Sequence, residues 1–281
     1  MTDGIMKMEE RPYERLYIYL LNGVVREEDE GTLGESFVGN WVEADSSFLF
    51  FRGPAWSLVD RLLKRRPYLE FSDDFLFNYE DWQGGIASPI EIDDFVILPP
   101  WAEKDYAGKG AMQIRLDPGV VFGNGLHPTT RDCLRALPLA AGRSPIEQVL
   151  DLGTGTGILA LASSLLGAES VLAIDLNPLC VKTAARNIAL NGLQEIIKAV
   201  NASADQFSNE PADLIIANLH QDVIRPLLDK RNFKKGDRVI LSGLLRTPFR
   251  EVGAQLERSD FKIIGEWDYE MTWFTLLAEK R

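Results

Sequence analysis

One segment constrains the fold more than any other. Asp151-Leu-Gly153-Thr-Gly155-Thr-Gly157 lies between an apolar run, IEQVLDL, and an apolar helical stretch, ILALASSLLGA, and a second apolar run, SVLAIDL, follows. Apolar runs of strand length flanking a helix-length segment make a βαβ unit, whose parallel strands are buried on both faces. NPLCVKTAARNIALNG then reads as a helix, with Asn177 as N-cap, Pro178 in the first turn and Asn191-Gly192 at its end. ADLIIANL gives a third apolar strand, DVIRPLLDKRN a short helix, DRVILSGLL a fourth strand, and Phe249 to Arg258 another helix. FKIIGEWDYE and WFTLLAEK are too close together for a crossover helix, so they pair as an antiparallel hairpin at the end of a parallel sheet.

The first hundred residues differ. ERLYIYLLNG, Phe37 to Val42 and Ser47 to Phe51 read as strands, with the charged stretch REEDEGTLGES after the first. AWSLVDRLLKRR has helical spacing, with Leu58, Leu62 and Leu63 on one face. Phe71 to Trp101 is aromatic and turn-rich and reads as a connector ending on a docked strand. The expected organisation is a small α+β domain over residues 1–85 and an α/β domain over 86–281. Residues 1–100 hold 20 acidic and 9 basic side chains, whereas residues 101–281 are close to neutral, so nearly all of the net charge of −12 is N-terminal. That excess either serves solubility or attracts a basic partner; it disfavours direct nucleic-acid binding. Cys133 and Cys180 form no C-x-x-C pair, and no apolar run is long enough to span a bilayer, which reads as a cytoplasmic protein.

The glycine run bears on the ligand. Gly153 and Gly155 let a ligand approach the backbone, and Asp175, 22 residues after Gly153, ends the next strand where a carboxylate accepts ribose hydroxyls. An ordinary strand-to-helix turn is the alternative, and the βαβ context weighs against it. The spacing departs from the dinucleotide fingerprint: the third glycine comes one place early, and Asp151 precedes the first. A carboxylate at that place suits an ammonium better than a pyrophosphate. With the Asp175-Leu-Asn-Pro178 run, the segment resembles the class I, Rossmann-like, S-adenosylmethionine-dependent methyltransferases.

A second run, LDPGVVFGNGLHPTTRDCLRAL from Leu116 to Leu137, is a Pro/Gly turn cluster leading into a helix capped near Pro128-Thr129-Thr130. It is either a structural loop or a loop that folds over a ligand. Together with LPPW and ADLIIANL it resembles the methyltransferases of ribosomal large-subunit protein eleven, over residues 78–281 by motif and over the acidic part by position alone. The resemblance implies that the N-terminal domain recognises a basic ribosomal protein and that methyl groups pass to lysine or α-amines. It implies that Thr130, Gly153, Asp175 and Asn218 contact the donor, that Asn218 also positions the acceptor, and that Asp151 helps to hold the donor. Asn124 stands where that family has threonine, and Leu126 and His220 replace smaller or less polar neighbours.

Other chemistry has little support. His127 and His220, without carboxylates at motif spacing, do not make a metal site. His127 is expected to shape its loop or meet substrate, and His220 to line the acceptor entrance or to serve as a partly buried helix cap. Trp82, Trp101 and Trp273 are assigned to packing, with a cation-holding surface as the alternative. Three alternatives stand beside a ribosomal-protein methyltransferase: an enzyme for another protein lysine or a small molecule, a non-catalytic donor-binding protein, and, more distantly, a nicotinamide oxidoreductase.

Overall fold

The structure is a computed structural model, described for residues 14–82, 89–102, 111–207, 210–229 and 237–281. The chain divides into two compact units, residues 1–87 and 88–281; the expected boundary at 85/86 lies outside the described residues.

The smaller unit is a four-stranded antiparallel sheet of order β2-β3-β1-β4, with β1 Arg15–Asn22, β2 Phe37–Glu43, β3 Ser46–Phe51 and β4 Glu70–Asn78. Tyr19, Leu21, Leu49 and Phe51 alternate onto one face, where Val59 and Leu62 of helix α2 (Trp56–Arg65) cover them. Leu58 and Leu63 flank that contact and are only partly buried, so Val59 replaces them at the centre of the helix's buried stripe. The acidic stretch is more than a solvated run: helix α1 (Glu27–Glu30) buries Asp29, whose carboxylate receives Arg66 Nε at 2.9 Å and Arg65 Nη2 at 3.3 Å.

The docked strand expected at the end of Phe71 to Trp101 is present at Phe95–Leu98, whereas the reading of the preceding stretch as a connector is corrected. Glu70–Asn78 is an edge strand paired along β1, and helix α3 (Tyr79–Trp82) follows it. Ile90–Ile92 (β5) and Phe95–Leu98 (β6) join Met112–Arg115 (β7) in a separate three-stranded sheet. Nearly all of β4 is exposed, so it carries no inward and outward alternation to reveal it.

The larger unit is the expected α/β sheet, in the order β10-β9-β8-β11-β12-β14-β13. Gln148–Leu152 (β8), Ser170–Asp175 (β9), Ile197–Asn201 (β10), Leu214–Asn218 (β11) and Arg238–Leu244 (β12) run parallel. Phe261–Tyr269 (β13) and Trp273–Lys280 (β14) form the antiparallel hairpin, β14 pairing with β12. The sequence reading passed over β10 and β7, which are short and partly exposed. Helices α4 (Pro128–Ala141), α5 (Ile158–Leu165) and α6 (Pro178–Leu190) pack with the three-stranded sheet on one face, and α7 (Gln221–Asp229) and α8 (Arg246–Arg258) on the other. Asn177 caps α6 as expected, its Oδ1 accepting from Leu179 N at 2.9 Å ahead of Pro178. At the opposite end of the sheet from the glycine loop, the buried Arg238 guanidinium donates to the carbonyls of Ala140, Ser144 and Pro145.

Strand order reverses between β8 and β11: from β8 the chain proceeds outward to β9 and β10, then returns to β11 on the other side. In open parallel sheets such a reversal leaves a crevice at the carboxyl ends of the strands. No helix of the described residues is long and apolar enough to cross a membrane.

Candidate active site

The crevice is built from the loops after β8, β9 and β11 and from the start of α4. After β8 the chain turns sharply, with Gly153, Gly155 and Gly157 at φ values of 74°, 54° and 86°. Glycine is needed for space as well as for conformation. A Cβ at Gly153 would lie 2.1 Å from Leu219 Cδ2, and one at Gly155 would lie 2.5 Å from the Phe122 carbonyl oxygen. Gly153 N and Thr154 N donate to Ile174 O at 2.8 and 2.9 Å, which fixes the turn against β9.

Asp175 closes this turn from the side. Its Oδ2 accepts from Gly155 N at 3.0 Å and its Oδ1 from Asn177 N at 2.9 Å. The Leu176 N–H and the Cys180 thiol also face this carboxylate, which stays partly exposed at the end of β9. Burial raises its pKa against those backbone donors.

Asp151 sits deeper, 1% exposed, beneath the turn. Oδ2 accepts from Thr154 Oγ1 at 2.5 Å, while Oδ1 has no hydrogen-bond partner among the described residues. Desolvation pushes this carboxyl up to about 7, against the opposing Thr154 bond and with a smaller contribution from the charge of Asp175. An under-satisfied buried carboxylate below a glycine cradle is suited to a cationic ligand group, because a positive charge at the loop compensates its desolvation.

Across the crevice, Asn218 ends β11. Its Nδ2 faces Thr130 Oγ1 at 3.5 Å, and its Oδ1 has no hydrogen-bond partner among the described residues. Thr130 is buried in the first turn of α4, its N–H donating to His127 O. His127, rather than the Pro-Thr-Thr that follows, is the N-cap: its Nδ1 meets Thr129 N at 3.4 Å and Thr129 Oγ1 at 2.8 Å. Burial lowers the His127 pKa, which favours the neutral ring.

The structure thus brings the expected residues to one end of the sheet, with Gly153, Gly155 and Asp175 on one side, Thr130 and Asn218 on the other, and Asp151 underneath. His220 is exposed and its Nδ1 lies 3.2 Å from Asp222 Oδ2 at the start of α7; the partly buried cap is corrected to an exposed one. Asn124 Oδ1 accepts from Leu126 N at 3.0 Å, a local turn bond that a threonine hydroxyl also makes.

Several residues escaped the sequence reading. The His127 ring lies edge-on to Phe122 at 5.1 Å and to Trp273 at 5.5 Å, so Trp273 joins the site's rim rather than only packing. Phe122, half exposed between loop glycines, has the exposure of a contact residue. Leu219 lies against Gly153, and its carbonyl fills the space that a Cβ at Gly243 would occupy.

A family model described as ribosomal protein L11 methyltransferase (PrmA) matches residues 77–281. A ribosomal protein L11 methyltransferase from Geobacillus kaustophilus is 35% identical over 209 residues, 72% of this chain and 66% of that protein. One from Bacillus cereus is 37% identical over 192 residues, 66% of this chain and 61% of its own length. The crystal structure of a ribosomal protein L11 methylase from Lactobacillus delbrueckii subsp. bulgaricus matches with a TM-score of 0.58 and 31% identity, covering 69% of this chain and 99% of that one. The match therefore spans just under two thirds of the curated relatives' length and leaves the acidic first unit largely outside it. From residue 77 onward, the glycine turn, the loop that carries Phe122 and the Asn218 strand end all fall within the match, and the chain belongs to the ribosomal protein L11 methyltransferase family.

Proposed function

We propose that this protein transfers methyl groups from S-adenosylmethionine to amines of a basic protein, with ribosomal protein L11 as the substrate. The observation that carries this reading is the pairing, across one crevice, of a glycine-and-carboxylate cradle with an asparagine whose acceptor oxygen has no hydrogen-bond partner among the described residues. The cradle fits the donor: Asp175 suits ribose hydroxyls, Gly153 and Gly155 allow close backbone approach, and the orphaned Asp151 Oδ1 favours a cation above it. Bound there, S-adenosylmethionine supplies a methyl group made electrophilic by its sulfonium.

The protein's own work is to orient and neutralise the acceptor. Asn218 Oδ1 can accept an amine N–H and so fix the direction of the nitrogen lone pair, and proximity of this kind carries much of the acceleration in a displacement reaction. A lysine amine titrates near 10.4 in water and an α-amine near 7.7–8.0. Phe122, His127 and Trp273 give the rim an uncharged aromatic surface, where poor hydration favours the neutral, reactive amine. A separate general base is not required.

Residues 1–85 serve, in this reading, to recognise the substrate, their acidic excess steering a basic protein, while residues 86–281 transfer the methyl group. The test is a truncation lacking residues 1–85, compared with the full chain by donor titration and by intact-mass measurement of purified ribosomal protein L11. The full chain should add methyl groups and the truncation should bind donor without methylating. Unmodified L11 alongside clear donor binding by the full chain overturns the substrate; full activity in the truncation overturns the role of the acidic unit.

A further inference from the structure

Four of the ten residues from Leu116 to Gly125 are Pro or Gly, and such composition suggests a freely moving cover. The hydrogen bonds give a different picture. The side-chain amide of Asn187, fully buried, accepts from Asp117 N at 2.9 Å and donates to Asp117 O at 3.0 Å and Thr156 O at 2.9 Å. Thr156, also fully buried, sends its N–H to Phe122 O at 3.1 Å and its hydroxyl to Gly123 O at 2.6 Å. The N–H and carbonyl of Thr156 are therefore committed to the 117–123 loop and to Asn187, the residue that anchors that loop, while its hydroxyl, besides donating to Gly123 O, accepts from Ile158 N at 3.4 Å in the first turn of α5.

At Gly155 the approach is backbone to backbone, and at Gly123 it is backbone against the Thr156 side chain. A Cβ at Gly155 would meet Phe122 O at 2.5 Å, and a Cβ at Gly123 would meet Thr156 Oγ1 at 2.9 Å. Gly155 belongs to the cradle, and Phe122 belongs to the aromatic rim through His127. A shift of either segment has no soft side chain to absorb it, so the two move together.

We propose that Thr156, braced by Asn187, is a positioning residue that couples nucleoside occupancy of the glycine turn to the placement of Phe122 on the acceptor side. This rests on the reading of the Gly153–Gly157 turn as the donor site. Occupancy that steadies the turn also steadies the loop, and by linkage the acceptor and the donor then strengthen each other's binding.

The test is hydrogen exchange by mass spectrometry on the full chain, with and without S-adenosylhomocysteine, for wild type, Thr156→Val and Thr156→Ser. In wild type the nucleoside should slow exchange in peptides covering both 153–157 and 118–125. In Thr156→Val, exchange across 119–123 without nucleoside should quicken by about fivefold to tenfold, the effect of one lost buried hydrogen bond. Nucleoside should then protect 118–125 less than in wild type while still protecting 153–157 in that variant, and Thr156→Ser, which keeps the hydroxyl, should restore the wild-type pattern. Protection confined to 153–157 in wild type, or undiminished coupling in the valine variant, overturns the inference and leaves the donor site standing. Absence of protection in every wild-type peptide overturns the donor site and this inference with it. The wild-type arm decides the matter even where the valine variant fails to fold.

Discussion

Asp151→Asn is the perturbation with the most informative arithmetic. The carboxyl is sealed beneath the turn with one oxygen unpartnered, and desolvation pushes its pKa from 3.8 up to about 7. A shift of that size corresponds to about 4 kcal/mol of differential stability. The sign follows from proton counts. Between the two values the unfolded chain holds fewer protons than the folded chain, so stability falls as pH rises. The penalty is absent below about pH 4 and complete above about pH 7. Asparagine carries no charge and should show none of this dependence. It leaves an unpaired N–H near the Oδ1 position, which costs about 1–3 kcal/mol at every pH, so the decisive quantity is how the difference between the proteins changes with pH. Urea unfolding of both proteins, compared at the same pH so that other titrating groups cancel, should show the variant gaining about 3 kcal/mol on wild type between about pH 5 and about pH 8.5. The same variant should bind S-adenosylmethionine more weakly at the higher pH, where wild type holds an anion under the cradle. A stability difference independent of pH would refute the account of Asp151 as a desolvated, titrating carboxyl.

Three further outcomes are expected. Asp175→Ala removes the acceptor for Gly155 N and Asn177 N and, in the proposed site, for the ribose, and should raise the donor Kd about tenfold to a hundredfold; unchanged affinity in calorimetry removes the ribose assignment. Gly155→Ala places a methyl 2.5 Å from the Phe122 carbonyl at a φ of 54°, and should abolish donor binding while making the 119–123 segment more susceptible to limited proteolysis; native affinity would mean that the loops are not locked together. Arg238→Ala strands three carbonyl oxygens far from the crevice, and should destabilise the larger unit by about 3–5 kcal/mol with donor affinity retained in the folded protein; a stability loss near zero in urea unfolding contradicts this.

What the sequence could reveal depended on burial. Strands β8 and β11 are buried nearly throughout and β9 along half of its length, so their apolar runs stood out and placed the glycine turn, Asp175 and Asn218 at strand ends. β4 and β10 are edge strands defined by backbone pairing, which leaves little trace in side-chain pattern. Local signals carried the Asn177 cap and the terminal hairpin. Long-range ones were silent: Phe122, His127 and Trp273 meet across about 150 residues, and Asn187 reaches back 70 positions to Asp117. Asp151 was legible as an acid beside the turn, whereas its near-complete burial depends on how β8, β9 and α5 close around it.

The most direct test of the central claim is transfer itself. The purified full chain is incubated with tritium-labelled S-adenosylmethionine and a mixture of ribosomal proteins, and labelled bands are separated and mapped by mass. Label on lysine or α-amines of ribosomal protein L11, lost in Asn218→Ala, is the predicted result. Label confined to other proteins, or none despite measurable donor binding, would contradict the assignment.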